Sequence, residues 1–185
     1  MNLIEIINSN FKGILGISGF GGSGKSTLAH KIAEFTDAPV IGIDSFFKHT
    51  NFGNCNNWDC VDFLRLKTEI ITPFRNGISL IKFREFDWEN NSVGKPNEIS
   101  HKGLIIIEGV GLFGSLIQSS ITKSIWIDCP IEIAIARGKE RDKSQYGVDN
   151  DVLWEGVWKQ NDLESFEKYH PMEVADIIID YKDLM

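Results

Sequence analysis

The chain has 185 residues, 42% of them hydrophobic, and a formal net charge of −7. That is long and apolar enough for one domain with a sizeable core, and it excludes a largely disordered chain. The acidic balance excludes a sequence-wide basic footprint for nucleic acid or anionic membrane, so any phosphate binding has to be local.

No apolar run approaches the ~20 residues that cross a bilayer. Residues 1–11 lack the basic start and long apolar core of a signal peptide. Cys55, Cys60 and Cys129 are odd in number and form no zinc-spaced cluster with histidine, which reads as free thiols in a reducing cytoplasm. The expectation is one domain over residues 1–185, cytoplasmic, with neither nucleic acid nor membrane as partner. The oligomeric state is not legible.

In chain order, residues 13–18 form a short apolar run and predict a buried strand. Next comes Gly19-Phe20-Gly21-Gly22-Ser23-Gly24-Lys25-Ser26, which fits G-x-x-x-x-G-K-[ST], the phosphate-binding P-loop. Leu28, Ile32 and Phe35 follow at helical spacing, so the motif has the strand–loop–helix setting that it needs. Its glycines let backbone N–H groups turn toward phosphate, and the helix start adds partial positive charge there. Lys25 would reach the β- and γ-phosphates and Ser26 would hold Mg²⁺. Thr27 extends the nucleotide-binding stretch.

Residues 39–44 predict a second strand ending at Asp44. A carboxylate near a P-loop can orient a hydroxyl and accept its proton, although Asp also caps helices. A helix is predicted from about Asp59 to Thr72, ended by Pro73. Asp59 and Asp62 at its start read either as ligands for sugar hydroxyls or as first-turn caps. Residues 78–102 alternate and carry turn-rich pairs, which predicts a β-hairpin flap.

Residues 103–108 and 123–128 predict two more buried strands, ending in Glu108 and Asp128. Either acid could support a metal as a Walker B carboxylate does; Glu108 is favoured, because Asp128 precedes Pro130 and reads as a cap. Ile131 to Arg141 predicts a helix. Arg137 and Arg141 lie four apart on one face of it, as a lid over about 137–147 or as a solvated basic end. A helix over about 149–169 places Trp154 and Trp158 on one side, read as core packing. A last strand is expected at 175–180. Alternating strands and helices predict an α/β P-loop NTPase fold in three layers, with a five-stranded, mainly parallel sheet, helices on both faces and the hairpin flap.

With these positions placed, the chain resembles the uridine kinase-like branch of P-loop kinases, which also includes phosphoribulokinases and nicotinamide riboside kinases. The resemblance runs through Gly24-Lys25-Ser26-Thr27, Asp44-Ser45-Phe46-Phe47, Asn57-Trp58-Asp59, Phe86-Asp87-Trp88, Ile106-Ile107-Glu108-Gly109 and Arg137 with Arg141-Asp142. It implies an ATP- and Mg²⁺-dependent kinase for a small hydroxyl compound. It makes Asp44 the catalytic base, Asp59 a ligand of ribose hydroxyls, and Arg137 and Arg141 lid arginines. Phe47, Trp58 and Phe86 would flank the acceptor. Phe47 and Phe86 stand where many uridine kinases have Tyr, and the hairpin lacks their base-reading His. A nucleoside 5′-hydroxyl is the expected target, another riboside or a sugar phosphate the near alternative, and a non-catalytic nucleotide-binding switch the rival class.

Overall fold

The computed structural model describes residues 11–184. The signal-peptide expectation for residues 1–10 therefore lies outside the described residues.

Five strands form one parallel sheet: β1 Gly13–Gly19, β2 Val40–Gly42, β5 Leu104–Glu108, β6 Lys123–Asp128 and β7 Ile177–Asp180, in the order β2-β5-β1-β6-β7. Their apolar character follows from burial on both faces. Leu15, Ile17, Ile106, Ile125 and Ile127 face one core, which takes in Leu28, Ala29 and Ile32 of helix α1, Lys25–Thr36. Ile14, Ile41, Ile105, Ile107 and Trp126 face the other. All five predicted strands are present. β2 is shorter than expected, and Asp44 lies just past it, in a 3₁₀ turn spanning Ile43–Phe46.

Helix α2 covers residues 63–75, beginning at Phe63, four residues later than expected. Asp62 is its cap and accepts the Arg65 N–H at 2.9 Å. Pro73 does not end it. The turn at Lys67–Ile71 is widened to i→i+5 bonding, with the Thr72 N–H reaching the Lys67 carbonyl. That widening accommodates a residue that has no N–H to give and whose ring crowds the preceding turn.

The expected hairpin is present: β3 Leu80–Asp87 and β4 Ser92–Ser100 pair antiparallel as a separate sheet. β3 buries Ile81, Phe83 and Phe86 in the second core. Helix α3, Ile131–Arg141, has the predicted bounds, and a wide turn at Asp142–Tyr146 follows it. The predicted helix over 149–169 is two helices, α4 Asp151–Glu155 and α5 Val157–Tyr169. They part at Gly156, whose backbone (φ −104°, ψ −113°) is not helical. A short helix α6, Pro171–Val174, precedes β7. No helix among the described residues is long and apolar enough to cross a membrane.

The cysteines correct the expectation of three free thiols. Cys55 and Cys60 form a disulfide, with Cα atoms 5.2 Å apart, and Cys129 is free and buried. The turn between them folds the chain back on itself through left-handed Asn57 and Trp58, and the Asp59 N–H meets the Asn56 carbonyl at 2.9 Å. Sequence spacing does not show such a turn. A thiol reagent should count one free thiol in denatured, unreduced protein and three after reduction; three before reduction would remove the disulfide.

Candidate active site

The P-loop joins β1 to α1, and its geometry follows from its glycines. Gly22 (φ +81°) and Gly24 (φ +107°) adopt left-handed backbone that only glycine takes readily. Lys25 is buried at 8% exposure, and its Nζ donates to the Phe20 carbonyl at 2.8 Å. The Phe20 ring points away from the loop, into a cluster with Trp126 and Phe166 (centroids 5.6 and 5.3 Å). Ser23 Oγ is buried without a hydrogen-bond partner among the described residues.

Two cavities meet at this loop. The outer one is lined by Gly22, Gly24, Lys25, Ser26, Thr27 and His30 on one side, and by Arg137, Arg141 and Tyr146 on the other. The inner one holds Asp44, Glu108 and Asp162 among apolar walls. Gly22, Lys25, Ser26 and Arg141 line both. A group held by Lys25 and Arg141 therefore faces both spaces.

Asp44 reaches the inner cavity because its turn is pinned. Arg65 donates through Nη2 to the Ser45 carbonyl at 2.9 Å and lies over the Phe46 ring at 4.6 Å. Burial deep in the cleft pushes the Asp44 carboxyl above the usual carboxylate range, against the pull of Lys25 and Arg141. The side chain itself is open to the cleft, so water tempers that shift. Burial also raises Glu108, and Asp44 adds to the effect. Lys25 is lowered by burial, opposed by the charges of Glu108, Asp162 and Asp44.

Of the two candidate metal-supporting acids, Glu108 is beside the loop. Ser26 Oγ donates to its Oε1 at 2.9 Å, whereas Asp128 is exposed at the end of β6 and lines neither cavity. Mg²⁺ takes one or two protein oxygens and completes its shell with phosphate and water. The Ser26–Glu108 pair is a donor set of that kind, and no group of three or more metal-binding acids, histidines or cysteines occurs among the described residues.

The predicted acceptor residues divide. Phe47 and Trp58 line the inner cavity. Phe86 stands behind it, against Phe47 and Trp88 (centroids 6.4 and 5.1 Å). Asp59 is exposed and outside the cavity lining, where its Oδ1 accepts the Asn56 N–H at 3.0 Å. Arg137 lines only the outer cavity, and its Nη1 is buried without a partner among the described residues. Arg141 pairs with Asp142 (2.8 Å), which is itself fixed by the Trp154 indole N–H at 2.9 Å.

Three features were not expected. Trp154 and Trp158, read as core, line the inner cavity. They complete a run of touching rings from Trp88 through Phe47 and Phe52 to Trp158 and Trp154, with centroids 5.0–5.7 Å apart. Asp162 supplies a third carboxylate, almost buried at 7% exposure. Its register on the stripe Trp154-Trp158-Asp162-Ser165, four, four and three residues apart, was the available signal: an acid on the buried side of a helix.

Burial pushes the Asp162 carboxyl from 3.8 up to about 6. Between those values the folded protein holds a proton that the unfolded chain has lost, so this group makes stability fall as pH rises through that window. D162N removes the effect. Urea unfolding should find the variant gaining about 2 kcal/mol relative to wild type between pH 4 and pH 7. An unchanged difference across that range would contradict the raised pKa.

No family model matches the chain. A uridine kinase of Borrelia duttonii (strain Ly) is 28% identical over 182 residues, covering 90% of this chain and 85% of that protein. The mouse uridine-cytidine kinase-like 1 is also 28% identical, covering 89% of this chain and 33% of that longer protein. Among solved structures, a possible uridine kinase from Bacillus stearothermophilus superposes with TM-score 0.65 at 20% identity, over 91% of this chain and 89% of the other. A D-glycerate 3-kinase from Cryptococcus neoformans gives 0.63 at 10% identity, over 92% and 87%. These likenesses carry the P-loop kinase fold over almost the whole chain, and the curated relatives carry the finer resemblance. In sequence and fold the chain thus resembles the uridine kinase-like P-loop kinases.

Proposed function

We propose that this chain transfers the γ-phosphoryl group of ATP to a nucleoside 5′-hydroxyl. The observation that supports it best is the pair of cavities sharing Lys25, Ser26 and Arg141, with Asp44 only on the inner side. Phosphoryl transfer needs mainly in-line positioning and charge stabilisation, and two spaces meeting at two cations suit that need. The chain is a phosphotransferase acting on a hydroxyl; the nucleoside is the finer part of the proposal.

In this reading the outer cavity takes the nucleotide, with the loop amides, Lys25 and Arg137 around its phosphates. Ser26 and Glu108 would hold Mg²⁺, which would neutralise phosphate charge. Asp44 aligns the acceptor hydroxyl and takes its proton. The aromatic run offers flat apolar surface for a base. Among the described residues, Lys25 and Arg141 are the cavity's only Lys or Arg, and both belong to the donor side. A phosphorylated acceptor would find no cation of its own, which disfavours the sugar-phosphate alternative.

A screen of nucleosides, other ribosides and sugar phosphates with ATP and Mg²⁺ tests this. Nucleosides should be phosphorylated at the 5′ position. Phosphorylation of sugar phosphates alone would overturn the nucleoside reading. Failure of every acceptor with ATP still bound would favour the non-catalytic switch.

A further inference from the structure

Asp162 does more than line the inner cavity. Its Oδ2 accepts the Gly21 N–H at 2.7 Å, and its Oδ1 accepts the Trp58 indole N–H at 3.0 Å. Gly21 is the third residue of the phosphate loop, and Trp58 is a wall of the inner cavity. One buried carboxylate thus joins the donor loop to the acceptor wall. The residue before it holds the same wall by its backbone: Asn161 Oδ1 accepts the Trp58 N–H at 2.9 Å, and its Nδ2 donates to the Cys55 carbonyl at 3.1 Å.

Trp58 needs such holding. It is a bulky residue at φ +60°, directly after Asn57 at φ +48°. Left-handed backbone at a large side chain persists only where its surroundings over-determine it, and such strain gathers at functional sites. The other side is equally close. A Cβ on Gly21 would lie 2.8 Å from the Trp154 ring and 3.5 Å from Asp162 Oδ2, and a Cβ on Gly111 would lie 3.0 Å from the Trp58 Cβ. The loop and the indole are pressed into one arrangement from both ends. A neutral acceptor could satisfy either N–H at lower desolvation cost than a carboxylate, but a single amide oxygen directed at one of them leaves the other opposed.

We infer that Asp162 is a positioning residue, tying the P-loop at Gly21 to the acceptor wall at Trp58 so that donor phosphate and acceptor hydroxyl keep one relative geometry. The tether itself stands on geometry; its consequence for turnover rests on the kinase reading above. Small misplacements of reacting groups cost rate far more than they cost binding.

The test compares wild type, D162N, W58F and the double variant at pH 7.5. It measures kcat with ATP, Mg²⁺ and the best acceptor of the screen, ADP affinity by calorimetry, and thermal melting. In D162N, kcat per folded molecule should fall at least fivefold while the ADP Kd changes less than threefold, and the double variant should be no slower than D162N. A smaller fall in kcat, a larger loss in ADP affinity than in kcat, or additive losses in the double variant overturns the inference. A second arm needs no acceptor. The fluorescence of Trp58, taken as wild type minus W58F, should change when ADP binds, and D162N should abolish that change. If wild type phosphorylates nothing, the kinase reading has failed, and this arm alone decides the tether. A change that is absent in wild type or retained in D162N overturns it.

Discussion

D44N should lower phosphoryl transfer by about 10²–10⁴-fold and leave ATP affinity nearly unchanged. The split follows from position. Asp44 lines the inner cavity and not the outer one, so nothing that holds the nucleotide is removed. The substitution keeps size and shape but takes away the group that accepts the hydroxyl proton. The raised Asp44 pKa gives a second signature. A base must be ionised to act, so the rate should climb with pH through a value above the ordinary carboxylate range of about 3.9. Glu108 and Asp162 are raised in the same cleft, so the wild-type limb belongs to coupled groups rather than to one residue. D44N should therefore remove the steepest part of that limb, as measured by initial rates from pH 5 to 8. Transfer at more than a tenth of the wild-type rate would take Asp44 out of the base role.

Much of the fold was legible because a parallel sheet covered on both faces has to be written in apolar runs. Ile105, Ile106 and Ile107 alternate between the two cores, yet all three are buried. Helix α3 was legible to the residue because it has Pro130 before it and basic residues in its last turn. Pro73 misled because local chemistry says stop, while a widened turn two residues earlier removes the reason to stop. The donor half of the candidate site is nearly contiguous in sequence, so its motif names it. The acceptor half is not. Gly21 meets Asp162 across 141 positions, and Trp58 meets it across 104. No local pattern encodes such meetings. Aromatic cavity walls are also compositionally the same as core: Trp154 is 5% exposed whether it fills space or bounds it. Asp59 shows the converse, since an acid at the head of a helix motif looked available to a ligand, yet it lies outside the cavity lining and one of its oxygens closes a turn of its own chain.

G22A should cost about 2–5 kcal/mol of stability and weaken ATP binding by at least tenfold. Two effects combine. The left-handed backbone at φ +81° is about 1–2 kcal/mol less favourable for any residue with a Cβ. That Cβ would also lie 2.0 Å from the carbonyl oxygen of Ala134 and 3.0 Å from the Gly138 nitrogen. These are backbone atoms of α3, so no side chain can swing away. Either the loop or the helix has to move, at about 1–3 kcal/mol for an overpacked contact. The loop amides lose their aim at phosphate if it is the loop. Arg137 and Arg141 shift if it is the helix, because both are carried on α3. Nucleotide binding suffers in both cases, which is why the effect on affinity is expected to be large. Gly77 separates the two causes. It has a similar backbone, φ +76°, with no atom of the described residues within 4 Å of an added Cβ. G77A should therefore cost only the backbone share, about 1–2 kcal/mol, and leave ATP affinity as it was. Urea unfolding and nucleotide calorimetry on both variants check the pair. Equal losses in the two would mean that contact with α3 is not what shapes the loop, and the close fit between the P-loop and the helix bearing its arginines would then have no part in binding.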